Sequence, residues 1–78
     1  MIIDTSGFEI GDEVWACEQY YGMPFAPIKT EILSFMIKKE AIYANTLLGF
    51  IHMSHIFKIN NLTECQLACD KLNGINHD

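Results

Sequence analysis

The chain is expected to fold as a small, mainly β barrel of about five strands with one C-terminal α-helix packed on it. Three observations point there. A Gly11-Asp12 turn opens a run of strand-like segments that continues to Lys58, an amphipathic helical pattern follows from Asn61, and Gly74 closes it. The 78 residues make one domain, with the barrel at about 8–58 and the helix at about 61–73. A chain this short buries only roughly 60% of the surface its unfolded form exposes, so its stability margin is thin. Half its residues are hydrophobic and 12% aromatic, well above a disordered composition, so it can build a core without a metal or a disulfide.

Phe8-Glu9-Ile10 leads into the Gly11-Asp12 turn, and Val14 to Tyr20 follows with β-branched and aromatic character. Two sets alternate there: Val14, Ala16, Glu18 and Tyr20 against Trp15, Cys17, Gln19 and Tyr21. Apolar residues in both sets predict a strand whose two sides each meet something, namely the barrel interior and the packed helix. Tyr21 to Pro27 reads as a loop, because Gly22, Pro24 and Pro27 break both periodicities. It is rich in large apolar side chains for a loop.

Ile28 to Ile37 is long for one strand, and its parity changes partway. Ile28 and Ile32 share one face, then Leu33, Phe35 and Ile37 take the other, which predicts a bulge or bend. Lys38-Lys39-Glu40 is a polar turn leading to a strand over Ala41 to Leu47, together a hairpin. Two short strands follow, through His52 and over Ile56 to Lys58, joined by one tight turn at Met53-Ser54-His55. Asn61 at the N-cap with Glu64 three residues on has the form of a capping box. Leu62, Cys65, Ala68, Cys69 and Leu72 share the helix face predicted to pack on the barrel. Gly74 supplies the left-handed stop.

These residues carry a resemblance. Phe-x-Ile-Gly-Asp-x-Val-x-Ala (Phe8 to Ala16), the long first loop, the bent strand from Ile28, the hairpin, and the strand, turn, strand closure at Phe50 to Lys58 together look like SH3-like barrels of the Tudor and KOW type. Ile56-Phe57-Lys58, followed by a helix containing Ala68-Cys69-Asp70-Lys71-Leu72-Asn73, also resembles small uncharacterised proteins of Gram-positive bacteria and their phages. The resemblance spans roughly residues 8 to 73. It implies a non-catalytic binding barrel, and a phage or mobile-element accessory protein that meets a host protein.

Charge narrows the partners. Ten acidic residues face five lysines and no arginine, a formal charge of −5. Nucleic-acid affinity rests on clustered basic side chains and counterion release, and arginine supplies the bidentate fork, so this composition opposes direct nucleic-acid binding. The alternative would have to use Lys29, Lys38, Lys39 and Lys58. Asp4, Glu9, Asp12, Glu13 and Glu18 fall in the first quarter of the chain. They form an edge that suits a basic partner surface or simple solubility. A third class is a homodimer that buries apolar strand faces and the aromatic loop.

Met1-Ile2-Ile3-Asp4 has no basic n-region or apolar h-region, and no apolar stretch approaches the ~20 residues that span a bilayer. The expectation is a cytoplasmic protein with no membrane contact. Cys17, Cys65 and Cys69 are an odd number without framework spacing. Cys65 and Cys69, i and i+4 on one helix face, read as packed small hydrophobes in a reducing compartment.

The residues singled out for partner binding are Trp15, Glu18, Tyr20, Tyr21, Met23 and Phe25. Trp15, Tyr20, Tyr21 and Phe25 would form a cage for a methylated ammonium if their rings converged, with Glu18 adding charge. Tudor-type barrels spread such residues over several strand ends, whereas here Tyr20, Tyr21 and Phe25 crowd into one loop. The simpler reading packs Trp15 and Tyr20 at the core or rim and folds Phe25 over a barrel mouth. Tyr21, Met23 and Phe25 are the expected protein-contact patch, since aromatic anchors dominate interface energetics.

No cofactor, metal or catalytic centre is expected. His52-x-x-His55 and Cys65-x-x-x-Cys69 supply two pairs of zinc-type ligands, with Cys17 and His77 as extras, but the cysteines occupy the helix face that must pack the barrel. Cys17 lacks an orienting third group for nucleophilic chemistry, and Asp12-Glu13 reads as a solvated turn. Asn61-Leu62-Thr63 matches a glycosylation sequon and reads as a helix cap.

Overall fold

A computed structural model describes Thr5 and residues 7–75. Five strands, β1 (Glu13–Glu18), β2 (Ala26–Lys38), β3 (Ala41–Thr46), β4 (Gly49–His52) and β5 (Ile56–Lys58), precede one helix, α1 (Leu62–Leu72). The strands form a single antiparallel sheet in the order β4-β3-β2-β1-β5. Its two edge strands, β4 and β5, are consecutive and joined only by a 3-10 turn at Met53–His55. Three residues cannot cross a flat five-stranded sheet, because neighbouring strands lie about 4.8 Å apart. The sheet therefore curls until its edges approach.

The long second strand makes the curl. β2 pairs with β1 through its first half and with β3 through its second. Its register slips by one residue between Ile32 and Ser34. Leu33 is the extra residue of a β-bulge, where the parity change predicted a bend; bulges bend the strand and increase its twist. Ile32 is buried before the bulge and Phe35 packs on the same core after it, whereas Leu33 and Ile37 remain exposed.

β1 meets apolar surroundings on both sides. Val14 and Ala16 enter the concave core of the curled sheet with Phe8, Ile32, Ala44, Ile51 and Ile56. Cys17 turns the other way, beneath α1, and is buried with Cys65 and Cys69 while Trp15, Phe25 and Phe57 pack around them. The two clusters explain how so short a chain holds together: each buried aliphatic or aromatic side chain contributes about 1.5–3 kcal/mol of transfer free energy.

Four local features differ from the sequence expectation. β1 ends at Glu18 rather than Tyr20, because Tyr20 already begins the next turn. β2 starts at Ala26 and includes Pro27, opposite Cys17, a position near a strand's start where the missing N–H is tolerated. Asn61 is the N-cap of α1 but makes no side-chain capping bond, so the capping box does not form. Its φ of −109° and ψ of 39° lie outside the extended region that aims a capping oxygen at the first helical N–H groups. The packed face of α1 is also narrower than predicted. Cys65 and Cys69 are fully buried, but Leu62 and Leu72 retain 44% and 46% exposure, because the cysteine cluster lies under the middle turns.

The end of α1 follows its sequence closely. Gly74 has a φ of +81°, its N–H donates to the Lys71 carbonyl at 3.1 Å, and the Ile75 N–H donates to the Asp70 carbonyl at 2.8 Å. This paired pattern satisfies two of the last orphan carbonyls.

Candidate functional site

The β1–β2 loop, residues 19–25, has a free tip and a fixed base. The Met23 N–H donates to the Tyr20 carbonyl at 2.9 Å, and Gly22, third in that four-residue turn, has a φ of +76°. That left-handed position favours glycine in a type II turn. Tyr21 precedes it at the tip and is fully exposed; Tyr20 and Met23 are each about 60% exposed.

Phe25 forms the base. Its N–H donates to Asn73 Oδ1 at 2.8 Å, and its carbonyl accepts from Asn73 Nδ2 at 2.9 Å. One side-chain amide thus serves both polar groups of one backbone residue, as a neighbouring strand would. Asn73 is held in place as the residue between the last turn of α1 and Gly74, its own N–H donating to the Cys69 carbonyl at 2.9 Å. The Phe25 ring packs on the cysteine cluster from the same side.

The six sequence-predicted binding residues divide accordingly. Tyr20, Tyr21 and Met23 present apolar and phenolic surface to solvent. Trp15 and Phe25 are half-buried against the cysteines, and Trp15 Nε1 donates to the Ile59 carbonyl at 2.9 Å, tying β1 to the turn before α1. Glu18 ends β1 and is half-buried. The four aromatic rings of the suggested cage therefore occupy two environments, two in solvent and two against the core.

The acidic edge is partly used internally. Asp12 Oδ2 accepts from the Glu9 N–H at 2.9 Å, fixing the turn before β1, and Glu13 faces Lys29 at 3.6 Å across the β1–β2 pair. Both members of that ion pair are exposed, where such pairs contribute little. Asp4 lies outside the described residues. An open cleft of about 550 Å³ runs along Phe8, Asp12, Glu13, Val14 and Lys58. Lys58 Nζ sits 5.4 Å from the centre of the Phe8 ring and 3.5 Å from the Gly7 carbonyl.

The four lysines of the nucleic-acid alternative are dispersed. Lys29 faces Glu13, Lys58 covers Phe8, and Lys38 and Lys39 belong to the β2–β3 turn. The two zinc-type pairs also part company. Cys65 and Cys69 are buried under α1, whereas exposed His52 has its Nδ1 against Ser54 Oγ at 2.8 Å and its ring edge-on to Tyr43. His77 lies outside the described residues.

Cys17 is fully buried with its Sγ 2.8 Å from Cys69 Sγ. Burial, then the hydrogen bond and charge of Cys69, push its thiol far above the ordinary range. Desolvation likewise pushes Cys65 up to about 12. Thiols held protonated in this way are poor nucleophiles while they stay buried, since the thiolate is the reacting form.

Comparison of the chain with protein-family models, with curated proteins and with solved structures finds no match. The sequence reading missed Asn73 as the clamp on the loop. Its only local sign was an amide beside the terminal Gly74, and the distance of 48 residues to Phe25 hid the partner.

Proposed function

We propose that this chain is a non-catalytic protein-binding module whose contact surface is the tip of the β1–β2 loop. The observation that carries the reading is Tyr21, fully exposed beside Tyr20 and Met23 on a loop whose base is clamped by Asn73. A tyrosine presented on a fixed turn loses little entropy on docking, and aromatic anchors contribute disproportionately to interface energy. Glu18 and the acidic N-terminal edge would form a charged rim, favouring a basic partner surface and faster association. Trp15 and Phe25 serve as the support for this surface.

The reading includes the likeness to SH3-like barrels. The 3-10 turn between β4 and β5, where that likeness expects a strand, turn, strand closure, supports it. An accessory role in a phage or mobile element, acting in the cytoplasm on a host protein, follows from the same resemblance. Among the described residues no helix is long and apolar enough to cross a membrane.

The experiment is partner capture from nuclease-treated lysate by the natural chain, a Tyr21→Ala/Met23→Ala variant, and a Leu67→Ala control that alters an exposed apolar residue on α1. A partner retained by the natural chain and the control but lost by the double variant is the expected result. Equal retention by all three would refute the loop as the contact surface. Light scattering on the same samples tests self-association through the same tip.

A further inference from the structure

The cysteine cluster offers chemistry that the binding surface does not use. Cys17 on β1 and Cys69 on α1 are 52 residues apart in sequence, yet their sulfurs lie 2.8 Å apart. A disulfide needs about 2.05 Å, so bonding requires a closure of under about 1 Å. Cys65 is the third thiol of the cluster, but it is a poor partner for Cys69. Residues i and i+4 on a helix hold their Cβ atoms about 5–6 Å apart, whereas a disulfide needs roughly 3.5–4.5 Å. Joining Cys65 to Cys69 would deform α1, whereas Cys17 and Cys69 sit on separate elements whose sulfurs already approach each other.

We propose that Cys17 and Cys69 form a specific oxidation site, which a peroxide converts to an intramolecular disulfide stapling β1 to α1. When local opening wets the site, one cysteine ionises; its thiolate attacks a peroxide oxygen and becomes a sulfenic acid, and the released hydroxide takes up the thiol proton as the first water. The second thiol then displaces the sulfenic hydroxyl, forming the S–S bond and releasing a second water. The two sulfurs lose two electrons in total, and the peroxide takes up both. The staple closes the chain from residue 17 to residue 69, which constrains the unfolded state. It also fixes the surface on which Phe25 packs, and so the base of the exposed loop.

All three thiols are fully buried, so peroxide reaches them when α1 lifts from β1. The Asn73 amide restrains that motion at one end of the helix and the Trp15 to Ile59 bond at the other. The site is therefore gated by local opening. In a reducing compartment the bridge would persist only while oxidant exceeds the thiol pool.

The test is to expose the natural folded protein to hydrogen peroxide, quench by alkylation in denaturant, and map the peptides without reduction. The expected product lacks the two thiol hydrogens, links the peptides of Cys17 and Cys69, leaves Cys65 alkylated, and has a raised denaturation midpoint. Cys65→Ala should give the same bridge, and Asn73→Ala should accelerate its formation several-fold. A bridge involving Cys65, a bridge between two chains, or over-oxidation of single thiols without any bridge would each overturn the proposal. The mapping on the natural protein decides the matter even where a cysteine variant fails to fold.

Discussion

The Asn73 side chain pairs with the Phe25 backbone through two hydrogen bonds of 2.8 and 2.9 Å, joining the end of the helix to the base of the β1–β2 loop. Asn73→Ala leaves a part-buried N–H and C=O without this partner. The expected loss is about 1–3 kcal/mol, read from the urea midpoint. Asn73→Asp keeps the acceptor for the Phe25 N–H, but it sets a carboxylate oxygen against the Phe25 carbonyl and a negative charge at the end of α1, so it should lose at least as much as Asn73→Ala.

Two buried threonines make a contrast within one sheet. Thr46 Oγ1 donates to the Gly49 carbonyl at 2.9 Å and accepts from the Leu48 N–H at 3.0 Å, holding the β3–β4 turn. Thr30 Oγ1 is buried with no hydrogen-bond partner among the described residues. Thr46→Val should therefore destabilise by about 1–2 kcal/mol, whereas Thr30→Val, which removes an unmet hydroxyl at nearly constant volume, should be neutral or stabilising. Equal losses in thermal denaturation would contradict this assignment.

The β2–β3 hairpin carries local strain. Lys39 and Glu40 have φ of 50° and 68°, the left-handed pair of a type I′ turn that Asn-Gly usually fills. Replacing Glu40 by Gly should stabilise the fold by roughly 0.5–1 kcal/mol, since the steric cost of a side chain there outweighs the added freedom of the unfolded chain. The check is a shift in midpoint at unchanged denaturant slope.

Alkaline pH should unfold the protein through its thiols. Below the ordinary thiol value of 9.0 both folded and unfolded chains hold the Cys65 proton; between 9.0 and about 12 only the folded chain holds it. The folded state then binds more protons, so stability falls as pH rises through that window. Cys17 is shifted in the same direction, chiefly by burial. The slope should be on the order of 1 kcal/mol per pH unit for each thiol. Cys65→Ala should flatten it when urea denaturation is followed from pH 8 upward.

The sequence by itself determined the element order, the bend in β2, the two-sided burial of β1 and the glycine stop of α1. Each is a short-range consequence of residue type: the alternation of Val14 and Ala16 with Trp15 and Cys17, the parity change after Ile32, and the left-handed freedom of Gly74. The exposed loop was legible for the same reason, since Gly22, Pro24 and Pro27 interrupt both periodicities. Only the tertiary structure decided which aromatic residues of that region face solvent. Trp15 and Phe25 turn to the core because α1 places Cys65 and Cys69 beside Cys17, and Tyr20, Tyr21 and Met23 stay outside because their turn lies beyond that contact. The Asn73 clamp and the Cys17–Cys69 approach are likewise tertiary. Each joins residues about 50 positions apart, and no local periodicity reports which distant strand a helix face will cover.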